Sequence, residues 1–282
     1  MFSHKLSKDE IHALAIGRFD GIHRAHRELF KHLGRRGGIL IIDNNSSTVT
    51  PKSRRDEYIS HQCFYYNLAD IKDLSAKEFI AFLKKDFPSL QKIVVGYDFR
   101  FGKNRMSGAE ELDKIYDGKV LIVPEFCYDG ISIHTSKIKA FLASGEIFQA
   151  NRLLGREYSF IGKVKKGQGI GGKVLFPTVN LEVDGYFIPA DGVYAGRLKI
   201  EENIYDSVIF IGKRVSTDGQ FSFEAYAIDV NIYAKEEDTI ELFFVEYLRE
   251  NRKFEEIEEL KEQIKKDIAK AKELLKICKI YA

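Results

Sequence analysis

Cysteine is too scarce here for a disulfide framework. The chain has three, Cys63, Cys127 and Cys278, far apart and odd in number. No two have metal-ligand spacing, so neither a zinc site nor a disulfide staple is expected, and all three read as reduced thiols. Long apolar runs are missing too. No stretch of about 18 or more apolar residues occurs, which argues against a transmembrane helix. The opening segment, Met1 to His12, lacks the apolar core of a secretory signal. These absences lead us to expect a cytoplasmic protein with no membrane partner. A dominant charge is also lacking. The 44 Lys and Arg against 42 Asp and Glu leave a net charge of +2. That balance argues against nucleic acid as the main partner. No internal repeat or low-complexity tract is visible.

What is present is a core-forming composition, 44% hydrophobic and 30% charged over 282 residues, long enough for two ordinary domains. Small-molecule substrates are the expected partners, and a monomer is compatible with the sequence. The first half alternates short apolar runs with helical patterns. Strands are expected at Ala13–Ile16, Gly38–Ile42, Lys92–Val95 and Lys119–Val123. Helices are expected at His23–Leu33, Arg54–Asn67 and Thr135–Ala143. Ser75 with Glu78, and Ser107 with Glu110, have capping-box spacing. Strands alternating with helices imply a doubly wound parallel sheet, with any nucleotide site at the carboxyl ends of its strands.

The pattern changes after Gly155. From Tyr158 to Val245 the runs are β-branched and aromatic, broken by Asp184-Gly185, Asp191-Gly192 and Asp218-Gly219. That spacing predicts an antiparallel β-barrel or sandwich, and a barrel is the expectation carried forward. A long C-terminal helix follows. Its stripe is Phe254, Ile257, Leu260, Ile264, Ile268, Ala271 and Leu275, with Glu early and Lys late, as the helix dipole favours. The expected domains are 1–155 and 156–282.

Three segments of the first half carry candidate chemistry. Gly17-Arg18-Phe19-Asp20-Gly21-Ile22-His23-Arg24-Ala25-His26 follows a strand and opens a helix. His23 and His26 are three apart, on one face of the first turn, beside free backbone N–H groups and the positive end of the dipole. A histidine pair alone is often filler; at this strand-to-helix turn it makes an anion site suited to a triphosphate. The loop Gly96-Tyr97-Asp98-Phe99-Arg100-Phe101-Gly102 interleaves aromatic and polar groups that suit a flavin or adenine ring and a phosphate. His134-Thr135-Ser136-Lys137-Ile138-Lys139 is a helix start, either a plain N-cap or a phosphate clamp.

In the second half, Gly167-Gln168-Gly169-Ile170-Gly171-Gly172-Lys173 matches the spacing of both a dinucleotide fingerprint and a P-loop. Val174 stands where a P-loop needs Ser or Thr, and Pro177 blocks the helix either motif needs. A glycine flap over phosphates or a plain hairpin loop remains. In Phe176-Pro177-Thr178-Val179-Asn180 a strand would put Thr178 and Asn180 on one face, hard oxygen ligands for Mg²⁺ beside ATP phosphates. Glu224 lies within the apolar strand pattern Phe223–Asp229, where a carboxylate needs a partner or a purpose, either a strand-face salt bridge or a role in chemistry.

Taken in order, these segments resemble the prokaryotic bifunctional riboflavin kinase/FMN adenylyltransferase family over essentially the whole chain. The first half resembles the pattern G-x-F-D-G-x-H-x-G-H, then G-x-D-F-R-F-G, then a Ser/Thr-rich segment. The second resembles G-F-P-T-A-N, then P-x-x-G-V-Y (here Pro189 to Tyr194), a catalytic Glu, and L-R-x-x-x-K-F (Leu248 to Phe254). The resemblance implies adenylylation of FMN to FAD in the first domain. ATP phosphates would meet Gly17, Phe19, Asp20, Gly21, His23, His26, Thr135, Ser136, Lys137 and Lys139. FMN would meet Asp98, Phe99, Arg100 and Phe101. In the second domain it implies phosphorylation of riboflavin to FMN. Glu224 would be the base, Gly167, Gly169, Gly171, Lys173, Thr178 and Asn180 would hold ATP and Mg²⁺, and Arg252 the flavin.

The chain departs from the family at several points. Ala25 stands where the family has Gly, Arg18 where it has Asn, and His134 where it has Ser. Lys137 and Lys139 replace longer-reaching residues, Leu175 replaces Gly, and Arg214-Val215-Ser216 stands for x-P-T. Ile42 to Ser47 lacks the family's Phe-x-Pro-His-Pro-like stretch. A narrower reading follows from these departures, a riboflavin kinase whose first domain is catalytically weakened. A non-enzymatic flavin or nucleotide sensor is the remaining rival.

Overall fold

The computed structural model describes residues 6–43, 48–165, 176–214 and 219–280. It divides into two compact units, Met1–Thr135 and Ser136–Ala282.

In the first unit the apolar runs become strands buried on both sides. These are β1 (Ala13–Gly17), β2 (Gly37–Asp43), β3 (Gln62–Asn67) and β4 (Lys92–Gly96). A two-residue ladder, β5 (Arg100–Phe101) with β6 (Ser107–Gly108), precedes β7 (Lys119–Val123), and a second, β8 (Cys127–Tyr128) with β9 (Ile131–Ser132), follows it. The long strands form one parallel sheet in the order β3-β2-β1-β4-β7. Alternation assigns the faces. Leu14, Ile16, Ile93 and Val95 enter one core with the helices α4 (Ala76–Asp86) and α5 (Ala109–Ile115). Ala13, Ala15, Ile39, Ile41 and Val94 enter the other, against α1 (Arg24–Phe30). This is the expected doubly wound sheet. The chain order reverses between β1 and β4, where a ligand crevice is expected.

Two local expectations fail. Arg54–Asn67 is not one helix. A turn of helix, α2 (Lys52–Arg55), and a 3₁₀ turn at Asp56–Tyr58 lead into β3, and another turn, α3 (Leu68–Ile71), follows it. Phe64 and Tyr66 pack on one face of the sheet and Cys63 and Tyr65 on the other, a period of two. The capping box at Ser75 and Glu78 forms, with both reciprocal hydrogen bonds. The one at Ser107 does not: Gly108 is the N-cap of α5, and Ser107 is drawn into the ladder opposite Phe101.

In the second unit a closed six-stranded antiparallel barrel stands where it was expected. Its strands are β10 (Tyr158–Lys165), β11 (Val179–Glu182), β12 (Gly192–Ile200), β13 (Asn203–Lys213), β14 (Phe221–Ala227) and β15 (Thr239–Arg249). Around the barrel they run β10-β11-β14-β13-β12-β15. The contact boundary falls at Thr135/Ser136, earlier than the expected 155. The cause is a helical pair, α6 (Thr135–Ala143) and α7 (Ile147–Leu154), tied to the barrel. Asn151 donates to the Phe244 carbonyl at 2.8 Å and accepts from the Tyr158 N–H at 2.7 Å. The Leu142 carbonyl accepts from the Ala190 N–H at 2.9 Å.

The C-terminal helix, Ile257–Ile280, covers one outer barrel face. Ala271 and Leu275 pack with Val193, Ala195, Val208, Phe210 and Tyr226. Its polar anchor is Asp267, whose side chain is 6% exposed and takes the Arg249 guanidinium at 2.8–3.0 Å. Asp267→Ala strands that guanidinium and is expected to cost about 3 kcal/mol, read as a lower urea midpoint for the barrel. A loss below about 1 kcal/mol would show that the pair only offsets its own desolvation.

Candidate active sites

In the first unit the sheet ends open into a cleft of about 590 Å³. Its lining follows directly from the carboxyl ends of β1, β4 and β7: Gly17–Asp20, Gly96–Gly102 and Pro124–Phe126, joined by His23, His26, His134 and Thr135. The histidine turn is a strained piece of backbone. Phe19, Gly21 and Ile22 have φ of 46°, 88° and 42°. Such values are costly for residues with a Cβ, above all a β-branched one, and must be held by their surroundings. Phe19 and Ile22 are buried in the core. Gly17 is needed where it stands, because a Cβ there would meet the Phe19 ring at 3.0–3.3 Å.

His23 is the N-cap of α1, one position outside the helix rather than in its first turn. Its Nδ1 accepts the His26 N–H at 3.4 Å. In the neutral ring this leaves the Nε2–H as donor. The two imidazoles stack, centroids 3.5 Å apart, and His26 meets the edge of Phe19 at 5.1 Å. Asp20 lines the cleft, but its buried carboxylate accepts the Thr50 N–H at 3.1 Å. It therefore holds the turn. Thr135 donates to the Asp20 carbonyl at 2.9 Å, and the buried Arg55 donates to the carbonyls of Thr50 and Arg18 at 2.9 and 3.4 Å. Arg55 and Thr50 lie in no motif and would be found only from the fold.

The other predicted residues of this site divide. Asp98 and Arg100 are exposed at the cleft. Phe101 touches it but is a core residue, packed against Phe79 and Phe99. Ser136 and Lys137 are exposed on α6, and Lys139 lies over the Phe187 ring at 5.3 Å within the second unit. His134 sits between two carboxylates, its Nδ1 4.0 Å from Asp98 and its Nε2 3.6 Å from Glu125. Ser132 and Tyr97 both donate to Glu125, and with His134 beside it these bonds hold its carboxyl below the usual range.

In the barrel the second cluster lies on the face that carries the C-terminal helix. Asn180 stands opposite Glu224 across β11 and β14, and Phe210 opposite it across β13. Cross-strand partners share a face, and Phe210 and Tyr226 of that face pack under the helix. Thr178, two residues before Asn180, reaches Glu224 Oε2 at 3.4 Å. Phe176 helps to place it, its ring on Tyr226 at 5.3 Å. Ser222 donates to Glu224 Oε1 at 2.8 Å, and Arg214 lies 3.7 Å from the same oxygen. Thr178, Asn180 and Glu224 are thus brought together as expected. Arg252 stacks on Phe254 at 4.7 Å and donates to Gln263 of the C-terminal helix at 2.7 Å. Gly167, Gly169, Gly171 and Lys173, with Leu175, Val215, Ser216 and most of the shortened stretch after β2, lie outside the described residues.

Comparison with known families gives two matches. Residues 44–137 match the FAD synthetase family model and residues 154–275 the riboflavin kinase model. A bifunctional riboflavin kinase/FMN adenylyltransferase of Buchnera aphidicola is 31% identical, over 90% of each chain. The chain belongs to the bifunctional riboflavin kinase/FMN adenylyltransferase family. It is a transferase that carries both domains, and the kinase-only reading finds no support. The Escherichia coli K12 family member is 28% identical over 94% of this chain and 93% of its own. A solved structure described as a macrolide-efflux protein from Streptococcus pneumoniae superposes with a TM-score of 0.82, at 26% identity over 91% of this chain and 92% of that one. No helix among the described residues here is long and apolar enough to cross a membrane.

Proposed function

We propose that the barrel phosphorylates riboflavin at Glu224 and that the cleft at His23 and His26 adenylylates the resulting FMN, each with ATP. The observation that carries this is the meeting of Thr178, Asn180 and Glu224 on one barrel face. Riboflavin's terminal hydroxyl is a neutral, poor nucleophile, so its oxygen needs help losing its proton. Glu224 takes that proton as the oxygen bonds to the γ-phosphorus of ATP. The bond from that phosphorus to the bridging oxygen breaks, and ADP leaves with the electron pair.

The hydroxyl of Thr178 and the amide oxygen of Asn180 are hard donors that fit Mg²⁺. Among the described residues no three His, Cys, Asp or Glu side chains group to hold a metal. Two neutral oxygen ligands therefore suit an ion that arrives with ATP phosphates, where it would neutralise charge on the transferred group. In the cleft the chemistry differs. The nucleophile is the phosphate of FMN, already anionic, so no base is needed. An oxygen of that phosphate bonds to the α-phosphorus of ATP and pyrophosphate leaves. The histidines and the N–H groups of the turn supply charge stabilisation and in-line placement. A reducing, cytoplasmic setting suits the free thiols Cys63 and Cys127.

The purified chain, given riboflavin, ATP and Mg²⁺, is expected to yield FMN and then FAD, separated by chromatography. FMN alone would remove the role given to the cleft, and no flavin product would remove both roles.

A further inference from the structure

Glu224 does not present two equivalent oxygens. Oε1 accepts from Ser222 at 2.8 Å and faces the Arg214 guanidinium at 3.7 Å. Oε2 faces Thr178 at 3.4 Å, long for a hydroxyl bond. Arg214 and Glu224 are both largely buried, with side chains 18% and 19% exposed, so solvent screens their attraction only in part. The backbone around Arg214 is fixed as well. Its N–H donates to the Gln220 carbonyl at 2.9 Å and its carbonyl accepts from Gly219 at 3.1 Å. Just before it, the Lys213 carbonyl accepts from Asn251 at 2.6 Å. Gly212, with φ of 141°, allows this close approach, because a Cβ there would meet Asp191 at 3.3 Å and Asn251 at 3.4 Å.

We propose that Arg214 is a positioning residue for riboflavin phosphorylation: with Ser222 it holds Glu224 by Oε1, so that Oε2 receives the proton of the attacking hydroxyl. This rests on the reading of Glu224 as the base. A carboxylate on a β-strand can swing about two side-chain torsions, and a proton acceptor misplaced by about 1 Å can lose about 100-fold in rate. A guanidinium carried on this anchored backbone, 3.7 Å from Oε1, limits that freedom and offers a planar set of donors, whereas an ammonium supplies charge without the fork.

The test uses the full chain with riboflavin, ATP and Mg²⁺. Arg214→Ala is expected to lower kcat for FMN formation about 100-fold while KM for riboflavin stays within about threefold. Added guanidinium chloride restores the rate at least about fivefold, and methylammonium chloride at equal ionic strength does not. Arg214→Lys keeps the charge and is expected to lose about tenfold in kcat at unchanged KM, which serves if the Ala variant fails to fold. FAD formation from supplied FMN stays unchanged in both and counts active protein. Wild-type kcat in Arg214→Lys, or a loss in folded Arg214→Ala that guanidinium does not reverse, overturns the proposal. Glu224→Gln runs beside them: if it too phosphorylates riboflavin normally, it is the reading of Glu224 that has failed, not the role of Arg214 alone.

Discussion

Replacing Glu224 with Gln is expected to cut FMN formation from riboflavin by about 10²–10⁴-fold, the usual worth of a positioned base. FAD formation from supplied FMN should stay within about twofold, because the two reactions use different ATP sites. Gln is the informative replacement. It matches the carboxylate in shape, so Ser222 at 2.8 Å keeps an oxygen to donate to. What it removes is the proton acceptor beside Thr178 and the anion beside Arg214. The loss should therefore fall on kcat and spare KM for both substrates. A fall confined to KM would mean that Glu224 binds substrate and does not act on it. A variant that keeps more than about a tenth of the rate would remove it from the chemistry altogether.

The two clusters were legible in the sequence to different depths, for a physical reason. Motifs that are local in the chain transferred well. The strand-turn-helix at Gly17–His26 and the spacing of Thr178 and Asn180 are short-range patterns, and the parallel register of β1 with β2 and β4 sets the turn at the sheet's switch point. Supports built from distant residues were not legible. Arg214 reaches Glu224 only because β13 and β14 pair with Gly212 opposite Ser222. Arg55 reaches the histidine turn from a segment read as the start of a long helix, and Thr50 from just before it. In that segment a period of two, Cys63 and Tyr65 against Phe64 and Tyr66, was hidden because both faces of β3 are apolar. The partners of Arg252 were equally hidden: Phe254 offers it a ring and Gln263, on the C-terminal helix, an acceptor.

Removing the His26 side chain should lower FAD formation from FMN by about 10²–10³-fold, the range for losing a preorganised donor to a developing charge. Riboflavin phosphorylation should be untouched. Its effect reaches beyond one ring. His23 and His26 stack at 3.5 Å, and the His26 ring is itself braced by Phe19. Without it, His23 loses a face contact and its Nε2–H is no longer fixed in direction, although the N–H of residue 26 can still donate to Nδ1. The two histidines should therefore act as a unit. His23→Ala, His26→Ala and the double variant should lose similar amounts, because groups that work as a unit are strongly non-additive. Losses that multiplied would mean independent contacts with the ligand. FAD synthesis that survived either single replacement would leave this turn a well-built helix cap with no part in holding a triphosphate.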